Sequence, residues 1–361
     1  MARRLDLLVP CYNEGEGVIK TLLDSVAIQR GVDLSQVGVI VCCDGGTTEL
    51  TEEFMSGYPF HVEFHMCEHN GVSATRNECL GLSDAEYCMF CDADDALMDT
   101  RGLFIVLREA DREPSQQELA QLGMSAEEAG VGFDYLISSF VEESKNPDTG
   151  KIDYLTHNGL ENLTFVHGQV FRRQWLVDND IRFDPTLTVH EDHRFICLAR
   201  ELVKPHRARV CQHCWYAWCW NDLSVCRRDP LYLQKTYVNM IAANTSLVDE
   251  LTKRGMDDKA RSYAVMMIEQ TFYTLCKRSW RTVNNEEYRN GVLECFKEYY
   301  ARNRDKWLST PEQERMAIAQ SVSGRCLMEG DMLEAPITIR QWLVRLGLEP
   351  ESYIEDSKTY M

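Results

Sequence analysis

The sequence has no stretch approaching the roughly 20 consecutive apolar residues that a bilayer-spanning helix needs. Its opening, MARRLDLLVPCYNE, turns polar too soon for the apolar core of a secretory leader. The chain is therefore predicted to be cytoplasmic, with peripheral attachment to a membrane compatible with that reading. Positive charge is scarce: 38 Lys and Arg stand against 57 Asp and Glu, a formal charge of −19 over 361 residues. That balance argues against a nonspecific grip on nucleic acid or anionic lipid as the main activity, while leaving room for a local basic patch. Internal repeats and low-complexity tracts are absent as well, which excludes solenoids and tails. What is present is a 44% hydrophobic chain, enough for one large domain and a smaller one. Fifteen cysteines are scattered through it, and Cys42, Cys43, Cys88 and Cys91 fall inside apolar runs. They read as reduced, buried side chains.

Along the first two hundred residues, strand-like and helix-like patterns alternate. LDLLV ends at Pro10, and EGVIKTLLDSVAIQR follows with Val18, Leu22, Leu23 and Val26 on one helical face. VGVIVCC runs into DGGTT; FHVEFHM leads to a helix, NGVSATRNECLGL, opened by Gly71; YCMFC is a fourth strand. This order predicts an α/β fold with a mostly parallel central sheet flanked by helices, in which ligands bind beyond the carboxyl ends of the strands. Residues 107–134 are acidic and read as an inserted surface helix or loop. DYLISSF resumes strand character, FVHGQVFRRQWLVDNDIRF reads as loop then helix, and ARVCQHCWYAWCW as a long alternating strand. From about Asp229 the pattern is helical, so we expect a domain over 1–228 and a smaller all-helical region over 229–361, with the boundary near CRRDP. Its apolar stripes suit simple packing, an acceptor groove or a homo-oligomer contact.

The polar loops at the strand ends hold the candidate chemistry. VPCYNEGEG places Pro10, Tyr12, Asn13 and Glu14 before a helix, which suits a polar or anionic ligand or a cap by Asn13. Asp44 could accept from a base or ribose, or serve the turn. Arg76, one turn into its helix, is either a surface cation or a diphosphate contact. FCDADDALMD crowds Asp92, Asp94 and Asp95 with Ala93 at a strand end. Carboxylates so placed repel one another unless a cation sits among them, and hard oxygen donors suit Mg²⁺ or Mn²⁺. In HEDHRF, Glu191 and Asp192 stand between His190 and His193. Asp192 is the expected general base for an attacking hydroxyl, the alternative being a helix cap.

In order and spacing, LVPCYNE, CDGGTTE, NGVSATRN, CDADD, HGQVFRRQWLVDNDIRF and HEDHRF resemble glycosyltransferase family 2, inverting enzymes of the GT-A (Rossmann-like) fold, over residues 5–225. The resemblance implies a nucleotide-sugar donor, UDP-linked as is usual there, with a hydroxyl acceptor on a glycan, lipid-linked glycan, protein or other molecule. It implies base contact by Asp44, a donor-site role for Arg76, a D-x-D metal and diphosphate motif at Asp92 and Asp94 with Asp95 adjacent, and Asp192 of an E-D pair as catalytic base. His167 and Gly168 are implied neighbours of the acceptor or sugar, with Arg172 and Arg173 serving there or in ion pairs. Where the family often has two acids before the glycine of the second-strand motif, this chain has Cys43 first.

Other readings compete with this one. Cys211 and Cys214, with Cys226 beyond, have finger-like spacing, but no second pair accompanies them and an alternating strand would turn them to opposite faces. Trp215, Tyr216, Trp218 and Trp220 suit a core or an interface more than a sugar platform, and His213 or Arg227 could reach a diphosphate. A haloacid-dehalogenase-like phosphotransferase also uses D-x-D after a strand but expects Thr or Val where Ala96 stands. A carbohydrate-binding or scaffolding protein without turnover would not need Asp94 and Asp192.

Overall fold

The computed structural model describes residues 3–46, 50–222, 224, 231–276, 286–326 and 337–355. The chain divides into two compact units, Met1–Ser224 and Val225–Met361. The whole CRRDP stretch, Cys226 and Arg227 included, lies outside the described residues.

The first unit is built on a nine-stranded sheet of order β3-β2-β1-β4-β8-β6-β9-β5, with β7 paired to β6. β1 (Leu5–Cys11) and β2 (Val37–Cys43) are buried along their whole length, as expected for parallel strands covered on both faces. They pair from Leu5 with Val37 to Cys11 with Cys43. β3 (His61–Met66) and β4 (Tyr87–Phe90) extend this parallel group on either side. β6 (Tyr135–Lys145) and β9 (Ala208–Trp218) point the same way, while β5 (Ala96–Leu97), β7 (Ile152–His157) and β8 (Val170–Arg172) run against them. The sheet is thus mostly parallel, as predicted.

One charged residue inside β1 shows how closely the strands are fitted. Asp6 is fully buried, ion-paired to Arg3 Nε at 3.0 Å and hydrogen-bonded by Ser83 Oγ at 2.7 Å. Burial pushes its carboxyl upward against both partners. Its register partner is Gly38, and any Cβ there would fall 2.4 Å from Asp6 Oδ1.

Helix α1 (Glu16–Ala27) packs on this sheet with Ile19, Leu22, Leu23 and Val26 buried. Val18, expected on that face, is 37% exposed; a helix beginning at Glu16 turns Ile19 inward instead, at the i, i+3, i+4, i+7 spacing. The helix is capped at Gly15 without a side-chain bond, so Asn13 is not its cap. After α2 (Glu52–Ser56), helix α3 (Val72–Leu82) opens at Gly71, whose φ of +87° favours glycine. Residues 107–134 take the helical of the two expected forms. They include the end of α4 (Gly102–Ala110), then α5 (Gln116–Leu122) and α6 (Ala126–Ala129), each of the latter two with a capping box, Ser115 with Glu118 and Ser125 with Glu128.

Two further departures come from short or irregular elements. The segment expected as loop then helix contains the three-residue β8 before α7 (Arg173–Asp178). The alternation expected in β9 is broken: a register shift between Ser138 and Ser139 lets their partners jump from Cys211 to Cys214. Trp215, Tyr216 and Ala217 are consequently all buried. α8 (Glu191–Leu202) follows a sharp entry at His190, φ +64°.

The second unit is all-helical among the described residues: α9 (Tyr232–Lys253), α10 (Asp257–Cys276), α11 (Glu286–Ser309), α12 (Glu312–Cys326), α13 (Ile339–Arg345) and α14 (Ser352–Glu355). Ile241, Ile268, Phe272, Phe296, Tyr300, Trp307 and Trp342 share its core. Buried polar groups are tied in: Tyr299 donates to Asn244 at 2.6 Å, and Tyr300 to Glu349 at 2.7 Å. No helix of the described residues is long and apolar enough to cross a membrane.

Candidate active site

β2 and β4 lie on opposite sides of β1, so a crevice opens beyond their carboxyl ends where the chain order reverses. A cleft of about 220 Å³ lies there, lined by Pro10, Cys11, Tyr12, Glu14, Asp44, Val72, Arg76, Asp92, Ala93 and Asp94. Eight of the residues singled out from the sequence, Pro10, Tyr12, Glu14, Asp44, Arg76, Asp92, Ala93 and Asp94, are therefore brought to one place. Asp95, His167, Gly168, Glu191 and Asp192 stand around it rather than on its wall.

Arg76 organises the constellation. It is 4% exposed and packs over the Phe183 ring at 5.2 Å. Its Nη1 donates to Glu191 Oε1 at 2.7 Å and Asp192 Oδ1 at 2.8 Å, and its Nη2 to Asp92 Oδ1 at 2.9 Å. It is not the surface cation that one turn of helix suggested. Burial works against its charge, but the three carboxylates outweigh that and hold it firmly protonated. One guanidinium thus ties the D-x-D turn to the start of α8.

The acids respond differently to the same surroundings. Asp192 also accepts from Val166 N–H at 3.3 Å; burial, with Glu191 and Asp92 nearby, pushes its carboxyl up to about 8 in spite of Arg76. Neither Glu191 nor Asp192 is bonded to its own helix as a side-chain cap would be; Arg76 takes both. At Asp92, 34% exposed, burial again disfavours the charge, but Arg76 and His167 prevail and its carboxyl is held low. Asp95 is fully buried and pushed well upward by burial, then by Asp92 and Asp94. Its oxygens accept from Tyr216 O–H and from Cys219 N–H at 2.9 Å. Asp94 accepts from Asn221 Nδ2 at 2.7 Å. Burial also raises Glu14, which accepts from the Tyr12 N–H.

Asp92, Asp95 and His167 each present a ligand atom within 4.8 Å of the others, a geometry that could hold a metal ion. His167 came in from the sequence as a neighbour of sugar or acceptor; here its ring stacks between Phe165 and Tyr216, and Nδ1 lies 4.0 Å from Asp95. Gly168 has φ +68°, and a Cβ would fall 2.9 Å from that of Tyr216. Its carbonyl accepts from Ser138 Oγ at 2.6 Å and Trp215 Nε1 at 2.9 Å. The donor set and charge fit a hard divalent cation: Glu14, Asp44, Asp92, Asp94, Asp95, Glu191 and Asp192 surround Arg76, the one arginine lining the cleft among the described residues.

Asp44 lines the cleft, yet its carboxylate accepts from Asn70 N–H at 2.8 Å and from Gly71 N–H at 3.0 Å. Its first work is to order the loop into α3. Sequence reasoning missed His69, which donates to the Asp44 carbonyl at 2.8 Å and stacks on Tyr12 with centroids 5.0 Å apart. Tyr216, read from the sequence as core, interface or sugar platform, acts instead through its hydroxyl, which joins Asp95 to the Asp92 N–H at 3.1 Å. Its place in the motif-free aromatic run of β9 carried no signal for that role. His213 bonds Asp99, Arg172 pairs with Glu86 at 2.8 Å, and Arg173 donates to the Leu80 carbonyl, all away from the cleft lining. Neither Cys211 nor Cys214 belongs to a metal-ligand cluster among the described residues. Trp215 and Tyr216 are core.

Comparison with known proteins agrees with this geometry. No curated protein matches the sequence. Among solved structures, S. aureus TarS residues 1–349 in complex with UDP-GlcNAc superposes with a TM-score of 0.59 at 16% identity, covering 92% of this chain and 95% of that one. The same protein in complex with UDP gives 0.56 at 15%, covering 92% and 94%. A longer TarS structure gives 0.56 at 15%, covering 90% of this chain and 54% of that one. These likenesses show the fold. Residues 6–174 match the model of glycosyl transferase family 2, the segment that carries β1, β2, β4, Arg76 and the acidic turn, and over it the chain belongs to that family and is a glycosyltransferase.

Proposed function

We propose that the chain transfers a sugar from a nucleotide diphosphate donor, UDP-linked, to an acceptor hydroxyl with inversion at the anomeric carbon. The observation that carries this reading is the Arg76 bridge, which holds Asp92 and Asp192 on one guanidinium. A donor site and a base so close leave room for one reacting centre between them. The UDP and UDP-GlcNAc complexes of TarS, a structure of the same fold, favour a uridine donor.

Pro10, Tyr12, Glu14, Asp44 and Ala93 form the walls for the nucleotide. Asp92 and Asp94, backed by Asp95 and His167, would hold Mn²⁺ or Mg²⁺, which supplies positive charge for the departing diphosphate. Asp192 takes the proton of the acceptor hydroxyl at a carboxylate oxygen. The hydroxyl oxygen bonds to the anomeric carbon as the bond to the phosphate oxygen breaks, and that oxygen keeps the electron pair. Attack from the face opposite the leaving group inverts the centre. Buried thiols such as Cys42, Cys79 and Cys88 suit a reducing, cytoplasmic setting.

Asp192→Asn is expected to lower transfer about 10²- to 10⁴-fold, the range of a lost general base, while UDP-sugar binding by calorimetry stays within about threefold. Undiminished turnover in that variant would refute the assignment.

A further inference from the structure

The second unit contains a cavity of about 330 Å³ among helices α10, α11, α12 and the start of α13. Glu269, in the middle of α10, faces it from within the core and is only 3% exposed. No hydrogen bond or ion pair to another described residue reaches its carboxyl. Burial pushes that group up to about 7 while Arg315, across the cavity, draws it down. Arg315 is itself fixed, stacked over Trp307 at 5.1 Å and donating to the Trp307 carbonyl at 3.0 Å.

No group of the described residues bonds the Glu269 carboxyl, whose oxygens keep access to the cavity, so their partner has to be something that enters it. Charge in the cavity balances: Glu269 and Glu312 stand against Arg315 and Arg340, the last donating to Glu312 at 3.1 Å. An anion would meet two carboxyl groups and a cation two guanidinium groups, so a neutral ligand fits best. Much of the remaining wall is apolar, with Phe272, Tyr273 and Ile339. The volume lies at the small end of ligand sites, roughly 300–1,000 Å³, enough for one ring rather than a chain.

We infer that this cavity is a second ligand site, separate from the donor cleft, that takes a neutral hydroxylated ring such as a single sugar unit. A ring hydroxyl donates to Glu269, Arg315 donates to a ring or hydroxyl oxygen, and the C–H faces of the ring lie on Phe272, Tyr273 and Ile339. The inference does not depend on Asp192 or on the acidic turn.

The test uses the whole chain and saturation-transfer NMR with free N-acetylglucosamine, glucose and galactose at millimolar concentration. Saturation should pass to the ring protons of at least one sugar. Ala319→Trp, which fills the cavity, should abolish it, and Glu269→Leu should weaken it at least tenfold. Hydrolysis of UDP-GlcNAc, read in parallel, should be unchanged in both variants. The inference is overturned if no sugar receives saturation, or if transfer persists in both variants while they remain folded by circular dichroism. Sugar binding without any donor hydrolysis would sink the transferase reading alone, and hydrolysis without sugar binding the second site alone.

Discussion

In the proposed mechanism, single side chains such as Asp192 and Tyr216 set the reaction conditions. Asp192 is held near 8, so in the free enzyme at neutral pH much of it carries its proton and cannot accept another. The expected kcat/KM profile therefore rises with pH through an apparent value near 8 and falls as acid protonates the base. A profile flat from pH 6 to 9 would remove Asp192 from the chemistry. Tyr216→Phe deletes the hydroxyl that joins Asp95 to the Asp92 backbone. It should cost about 1–2 kcal/mol in urea unfolding, as a buried hydrogen bond does, and should weaken Mn²⁺ binding more than UDP binding, measured separately by calorimetry. Equal weakening of both would mean that Tyr216 merely packs. Such roles leave no trace in a linear motif. Asp92, Asp94 and Asp192 were legible because three acids crowd one strand end and a Glu-Asp pair follows about a hundred residues later in the order of the family pattern. Tyr216, His69 and Glu269 were not, because their neighbours come from distant segments.

At the level of elements, β1 and β2 were readable because strands covered on both faces need unbroken apolar runs, and theirs are unbroken. β8 was hidden by its three-residue length, and the true course of β9 by a bulge that no composition announces. The same scale explains the turn at Gly168. Its left-handed backbone and the approach of Tyr216 leave no space for a side chain. Gly168→Ala is expected to destabilise the first unit by roughly 1–3 kcal/mol, seen as a lower midpoint in thermal melts. An unchanged midpoint would show that the loop can relax at no cost. Trp215 depends on this turn, since its indole N–H is bonded to the Gly168 carbonyl.

For the molecule as a whole, the buried acids link stability to pH and to cations. Asp192 and Asp95 have folded-state values above those of an unfolded chain, near 3.9 for aspartate. Their contribution to stability is complete below that value and is lost as pH rises through the folded one, close to 8 for Asp192. The melting midpoint should decline between pH 6 and 9, and Mn²⁺ should restore more of it at pH 9 than at pH 6. A restoration independent of pH would disconnect the ion from these acids. Arg76→Met leaves three carboxyl groups without their shared cation, at a cost of about 3–5 kcal/mol near pH 8. That deficit should shrink as the pH falls and the acids take up protons.

The guanidinium of Arg76 joins residues 16, 115 and 116 positions away along the chain. Contacts of such long span form only after the intervening polypeptide has been ordered, because closing large loops is entropically costly until neighbouring structure supports it. A newly made or partly denatured molecule can hold β1 and β2 yet have no assembled reaction centre. Retention of nucleotide on a column would then count fully matured molecules, where helix content alone would overstate them.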